Sequence, residues 1–96
     1  MDLKQVDAAV GRLIAIAMSN TGQSRRVANF LLAWWNATDN GGFDLTDMWA
    51  VDSSIAQDMV AVFSFVASYQ VYADRLGYQE QMEAIWEQWR SKAVTA

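Results

Sequence analysis

The residues with most chemical potential lie in one short stretch, Asp39-Asn-Gly-Gly-Phe-Asp-Leu-Thr-Asp47, where closely spaced carboxylates flank a glycine turn. Acids in such a turn supply the oxygen ligands that a calcium ion takes. The register does not fit the helix–loop–helix calcium site, which needs oxygen side chains at alternate positions, glycine sixth and glutamate twelfth. Here Gly41 and Phe43 occupy the third and fifth places. Carboxylate pairs such as Asp44 and Asp47, or Asp52 and Asp58, could in principle divide acid and base roles, because neighbouring like charges split their pKa values. The chain has no His and no Cys to complete such a mechanism, to bind zinc or to act as a nucleophile. Capping of helices and turns is the ordinary use of these acids. No catalytic residue, metal ligand or cofactor is expected.

Charge is distributed unevenly. Between Arg26 and Arg75 there is no basic residue, while the same interval holds Asp39, Asp44, Asp47, Asp52, Asp58 and Asp74, and the whole chain carries −4. The middle of the sequence therefore reads as a negative belt that no cation within it neutralises. Direct nucleic-acid binding is disfavoured, since a phosphate backbone needs a basic footprint. A protein partner with a basic surface is the complementary expectation.

Five Trp accompany four Phe and three Tyr in only 96 residues. Phe43, Trp49, Trp34, Trp35, Trp86 and Trp89 can serve as core, or as a ligand pocket or interface anchor, because Trp joins a large apolar body to one polar N–H. Adjacent Trp34 and Trp35 point about 100° apart on a helix, so one belongs at a rim. Trp49, beside Asp44, Asp47 and Asp52, is the preferred anchor. The sequon Asn36-Ala-Thr38 carries no weight without a secretion signal.

The elements that must position these residues read as helices throughout. Pro is absent and Gly is sparse, which permits long helices, and 96 residues supply one core and one domain. Leu3, Val6, Val10, Leu13, Ile14 and Ala17 repeat at helical spacing from an Asp2 cap to a stop at Asn20-Thr-Gly22, and Gly11 within that run suggests a closely crossing helix. Ser24 can cap a second helix to about Ala37 carrying Val27, Phe30, Leu31 and Trp34. Thr46 can cap a single turn with Met48 and Trp49. Ser54-Ile-Ala-Gln57 has the form of a capping box, opening a helix over about Ser53 to Tyr69. Its face of Ile55, Met59, Val62, Phe63 and Val66, with apolar neighbours all round, predicts the central, most buried helix. A short turn ends at Gly77, and a last helix runs from Gln79 to about Lys92 with Met82, Ile85, Trp86 and Trp89 inward. The expected fold is all-α, a compact array of four main helices plus one or two short helical turns. No apolar run approaches the roughly 20 residues of a membrane span and the amino terminus lacks a secretory signal, so the expected compartment is the cytoplasm.

Leu31-Leu-Ala-Trp-Trp-Asn36, Gly41-Gly-Phe-Asp-Leu-Thr-Asp-Met-Trp49, Val51-Asp52, Ile55-Ala56, Asp58-Met59 and Leu76-Gly-Tyr78 resemble a small uncharacterised family of bacterial proteins that look like cargo of plasmids, phages and integrated elements. The likeness covers roughly Val27 to Arg90, most specifically Gly41 to Trp49, with the first helix outside it. It implies a mobile-element setting and no chemistry. Joined to the charge pattern, it leads to the expectation of a non-enzymatic inhibitor or adaptor, of the anti-CRISPR type, docking on a larger host protein. The contact residues would be Asp39, Phe43, Asp44, Asp47, Trp49, Asp52 and Asp58. Two other readings stay open: a small-ligand or metal-dependent activity in the Gly41-Gly42 loop, and a structural homodimer that buries surplus Trp.

Overall fold

Helix α1, Leu3–Ala17, starts where Asp2 accepts the Lys4 amide at 2.9 Å, and it buries Val6, Ala9, Val10, Leu13 and Ala17. The structure, a computed structural model, describes residues 2–91. Helix α2 spans Gly22–Asn40, a 3-10 helix Leu45–Ala50, α3 Ser53–Tyr69, a second 3-10 helix Ala73–Leu76 and α4 Gln79–Trp89. The fold is all-α, with no strand among the described residues. The carboxyl end expected for α4 at Lys92 lies outside them.

Helix α1 is the shared spine. It packs against α2, α3 and α4, while α2 and α3 make no extensive contact with each other. The expectation that α3 is the most buried helix is therefore wrong. Only Ile55, Met59, Val62 and Phe65 of its 17 residues are buried, and Phe63, assigned to the inner face, is 59% exposed. An apolar residue set all round a helix marks two apolar faces, and one neighbour covers only one of them.

Caps explain the remaining boundaries. Thr21, not Ser24, caps α2: its Oγ1 accepts the Ser24 amide at 3.0 Å, and the Ser24 hydroxyl turns inward to Thr21 Oγ1 at 2.9 Å. Asp44, not Thr46, caps the first 3-10 helix. Helix α3 opens at Asp52 without a side-chain cap, so the Ser54–Gln57 capping box does not form. Gly41 ends α2 at φ +92°, and Gly77 ends the second 3-10 helix at φ +88°, as the glycine stop there predicts.

Helix α4 buries only Met82 and Ile85, and polar clamps hold it. Trp89 Nε1 donates to the Ala17 carbonyl at 2.7 Å and Gln88 Nε2 to the Ser19 carbonyl at 2.7 Å, satisfying groups that the end of α1 leaves unpaired. Arg90 bridges Asn29 Oδ1 at 2.8 Å and the Asn40 carbonyl at 3.2 Å. Just before α4, the Tyr78 hydroxyl donates to Asp7 Oδ1 on α1.

Gly11 faces solvent, and a Cβ there meets nothing within 4 Å, so no helix crosses closely at that point. Gly11→Ala should raise stability by up to about 1 kcal/mol in chemical denaturation, through helix propensity and a less flexible unfolded chain. Burial, then the hydrogen bond to Asp7 and its charge, hold the Tyr78 phenol above its ordinary value of 10.0. The folded state thus favours the neutral phenol. That contribution is complete below pH 10.0 and is lost as pH rises through the higher folded value. Stability measured across this alkaline range should fall less steeply in Tyr78→Phe than in the parent.

Candidate functional site

The seven residues selected from the sequence fall into three neighbourhoods. Asp44, Asp47, Trp49 and Asp52 lie together in the first 3-10 helix and its flanks, with Phe43 just before it. Asp58 lies on α3 against α1, where it accepts Arg12 Nε at 2.8 Å and Arg12 Nη2 at 2.9 Å. Asp39, in the last turn of α2, lines a different cleft with Trp35, Tyr72 and Trp86. One continuous acidic face from Asp39 to Asp58 is therefore not formed.

Nor is the belt uncompensated. Arg12 neutralises Asp58 in a bidentate pair, and Arg26 Nε stands 3.7 Å from Asp47 Oδ1, close enough for charge attraction but too far for a hydrogen bond. Both cations come from the arginine-bearing first third of the chain, so a map of charge along the sequence could not show the pairing. Asp44 accepts the Thr46 hydroxyl at 2.8 Å and the Thr46 amide at 3.0 Å, and in that order these bonds hold its carboxyl below the usual carboxylate range. Asp44 is thus an anion as well as a cap. Asp52 meets Gln23, which accepts its amide at 2.6 Å and donates to its carboxylate at 3.4 Å. Asp39 receives Asn36 Nδ2 at 2.8 Å. Among the described residues, Asp39, Asp44 and Asp52 have no cationic partner.

Trp49, expected from the sequence as an apolar anchor, stands on the surface. Trp49 is 85% exposed, and the other four Trp are half-buried. Phe43 is half-buried, its ring set edge-on to Phe30 at 5.3 Å between centroids. Trp34 is pinned by its N–H to the Val71 carbonyl at 2.8 Å.

Sequence reading missed an apolar surface that reaches the helix of Trp49 through Leu45. Because α2 and α3 both rest on α1 without closing on each other, an open groove of about 230 Å³ separates them. Phe30, Ala33 and Trp34 form one wall and Val62, Phe63 and Val66 the other. Phe43 and Leu45 join it from the loop, and Leu45 is 63% exposed. Val60 and Ala67 extend the Phe63 side as exposed residues at helical spacing. The apolar character of both faces of α3 was the available signal. The identity of the uncovered face was not legible.

Nothing here assembles a metal centre: no group of three Asp or Glu among the described residues is placed to hold a metal ion. No described helix is long and apolar enough to cross a membrane. What the fold and this surface define is a small all-α domain with an apolar groove, and with an exposed Trp left uncovered between two unpaired carboxylates, Asp44 and Asp52. The chain belongs to a family of unknown function (DUF7673), which matches residues 7–90. That match begins inside α1, so the family likeness takes in the first helix as well as the stretch from Val27 to Arg90. No curated protein and no solved structure shows significant similarity to the chain.

If Trp49 serves contact rather than folding, Trp49→Ala should leave the unfolding free energy within about 0.5 kcal/mol of the parent, as for other surface changes. Leu31→Ala, in the fully buried core, should cost about 2–5 kcal/mol. Urea denaturation of the two variants beside the parent checks both values.

Proposed function

We propose that this chain is a non-enzymatic protein-binding module, an inhibitor or adaptor that docks on a larger protein with a basic surface. The observation that carries this reading is Trp49, a large aromatic 85% exposed on a short helix whose flanks bear the unpaired Asp44 and Asp52. An aromatic side chain buries roughly 150–250 Å², so covering Trp49 alone supplies several kcal/mol toward association at about 25 cal/mol per Å². Leu45 and Phe63 extend the apolar contact, and the groove between α2 and α3 offers a socket for one side chain of the partner. Asp44 and Asp52 set the charge that attracts Lys or Arg and raises the association rate.

Its proposed setting is the bacterial cytoplasm, as cargo of a plasmid, phage or integrated element, which rests on the resemblance drawn from residues Leu31 to Tyr78. There an acidic module suits the basic groove of a nucleic-acid-binding host protein, in the manner of an anti-CRISPR inhibitor. Self-association is the second reading, favoured by the exposed stripe Val60, Phe63 and Ala67 on α3.

Affinity capture from the native host, run in parallel with the parent and with Trp49→Ala, Leu45→Asp and Phe63→Asp, tests the proposal. A partner retained by the parent should lose at least about tenfold in affinity with Trp49→Ala, as central aromatic anchors do. Asp44→Lys with Asp52→Lys should slow its association at low salt and matter less at high salt. Equal retention by all variants would sink the reading, and a dimer mass in solution that Phe63→Asp abolishes, with no second protein captured, would replace it with the homodimer.

A further inference from the structure

A second cleft lies on the other side of α2, away from the groove. It has a volume of about 640 Å³ and is formed where the end of α2, the second 3-10 helix and α4 meet. Three aromatic side chains from three separate segments converge on it: Trp35, Tyr72 and Trp86. Among the described residues the ring–ring contacts are Phe30 with Phe43, Trp34 with Tyr78 and Phe65 with Tyr69, so none of the three is stacked on another ring. Two carboxylates, Asp39 and Asp74, line the same space. Neither has a cationic partner among the described residues.

The backbone holds one of these carboxylates in place. Asn36 leaves helical geometry at φ −164°, ψ 89°, and its side chain caps the turn that follows. Its Oδ1 accepts the Asp39 amide at 3.2 Å and its Nδ2 donates to Asp39 Oδ2 at 2.8 Å. This bond orients the Asp39 carboxylate and occupies only one of its oxygens. Arg75 shares Tyr72 with an adjoining hollow that Gln70 and Val71 also line, and Arg90 backs Asn40 from the α2–α4 seam. Neither pairs with Asp39 or Asp74, and the two carboxylates are the only charged groups among the residues that line the cleft.

We infer that this cleft binds an organic cation, a guanidinium or an alkylated ammonium. Aromatic faces attract weakly hydrated cations through the ring quadrupole, and carboxylates add charge that neutral ligands cannot use. An anion is repelled by Asp39 and Asp74. A hard divalent metal ion needs more oxygen ligands than the described residues bring together. The site does not involve Trp49 or the apolar groove, so it stands or falls apart from the docking proposal.

The test is a titration of the isotope-labelled full chain followed by NMR at the indole N–H signals of Trp35 and Trp86, assigned with Trp35→Phe and Trp86→Phe. Choline and a Gly-Arg-Gly amide are the cationic probes, 3,3-dimethylbutanol and glucose the neutral ones. The cations should give saturating shifts at about millimolar concentration, and Asp39→Asn with Asp74→Asn should weaken them about tenfold or more. Asp74→Asn alone carries the comparison if the double variant loses signal dispersion. The tripeptide binding about tenfold tighter than choline identifies the natural source as a side chain of another protein, and the reverse order a free small molecule. No saturable shift up to about 100 mM of either cation, far weaker than useful recognition, would overturn the inference. So would equal shifts from a neutral probe, or an affinity unchanged by removing the carboxylate charge.

Discussion

The structure depends on α1 being shared. Ala9, Val10, Leu13 and Ala17 lie at most 1% exposed along one helix, and α2 and α3 both pack on it, while α4 touches it more lightly and rests mainly on α2. A single helix of 15 residues presents a limited circumference, so neighbours seated on different sides of it splay apart. Among the described residues no element closes the wedge between α2 and α3, and small domains bury a smaller share of their surface. The groove is thus a direct result of the packing that makes the core.

Where apolar area is short, hydrogen bonds from large side chains hold the periphery. Trp34 and Trp89 bury part of an indole and give their N–H to backbone carbonyls at Val71 and Ala17. Each bond satisfies an acceptor that a chain reversal or helix end leaves unpaired, and leaving such a group buried and unmade costs about 1–3 kcal/mol. Two of the five Trp are therefore clamps. Trp35 and Trp86 line the acidic cleft, and Trp49 touches little of its own chain. The high Trp content serves three distinct purposes.

Much of this architecture was legible in the sequence because helices announce themselves by period and punctuation. Asp2 and Gly77 mark their boundaries, and the extent of α3 from Ser53 to Tyr69 follows from its apolar content, whereas α2 runs on past the expected end at Ala37 to Asn40. What escaped was the choice among equivalent local signals. Thr21 and Ser24 can each cap a helix, as can Asp44 and Thr46, and only the chain's entry angle decides which does. Phe63 and Phe65 are two residues apart on an apolar helix, and which one faces the core depends on where α1 lies. Exposure of Trp49 was readable from its acidic, glycine-rich surroundings. The division of the aspartates between caps, ion pairs and free charge was not, because Arg12 and Arg26 reach them only through tertiary structure.

That division bears on what the acidic segment can do. Two helices begin within the stretch from Asp39 to Asp58, and a capping carboxylate is worth about 0.5–2 kcal/mol against roughly 0–1 kcal/mol for an exposed ion pair. Local folding thus has the stronger hold on Asp44 than any distant cation could exert. Capping and steering do not compete, however. A carboxylate that accepts hydrogen bonds keeps its charge, and the lowered pKa of Asp44 keeps it ionised further into acid. Five aspartates between positions 39 and 58 face two arginines, so three negative charges stay uncompensated among the described residues after every structural role has been met. Asp44 and Asp52 leave theirs beside Trp49 and Asp39 leaves its charge in the aromatic cleft, so these two aromatic sites carry their own anions while the groove between α2 and α3 carries none.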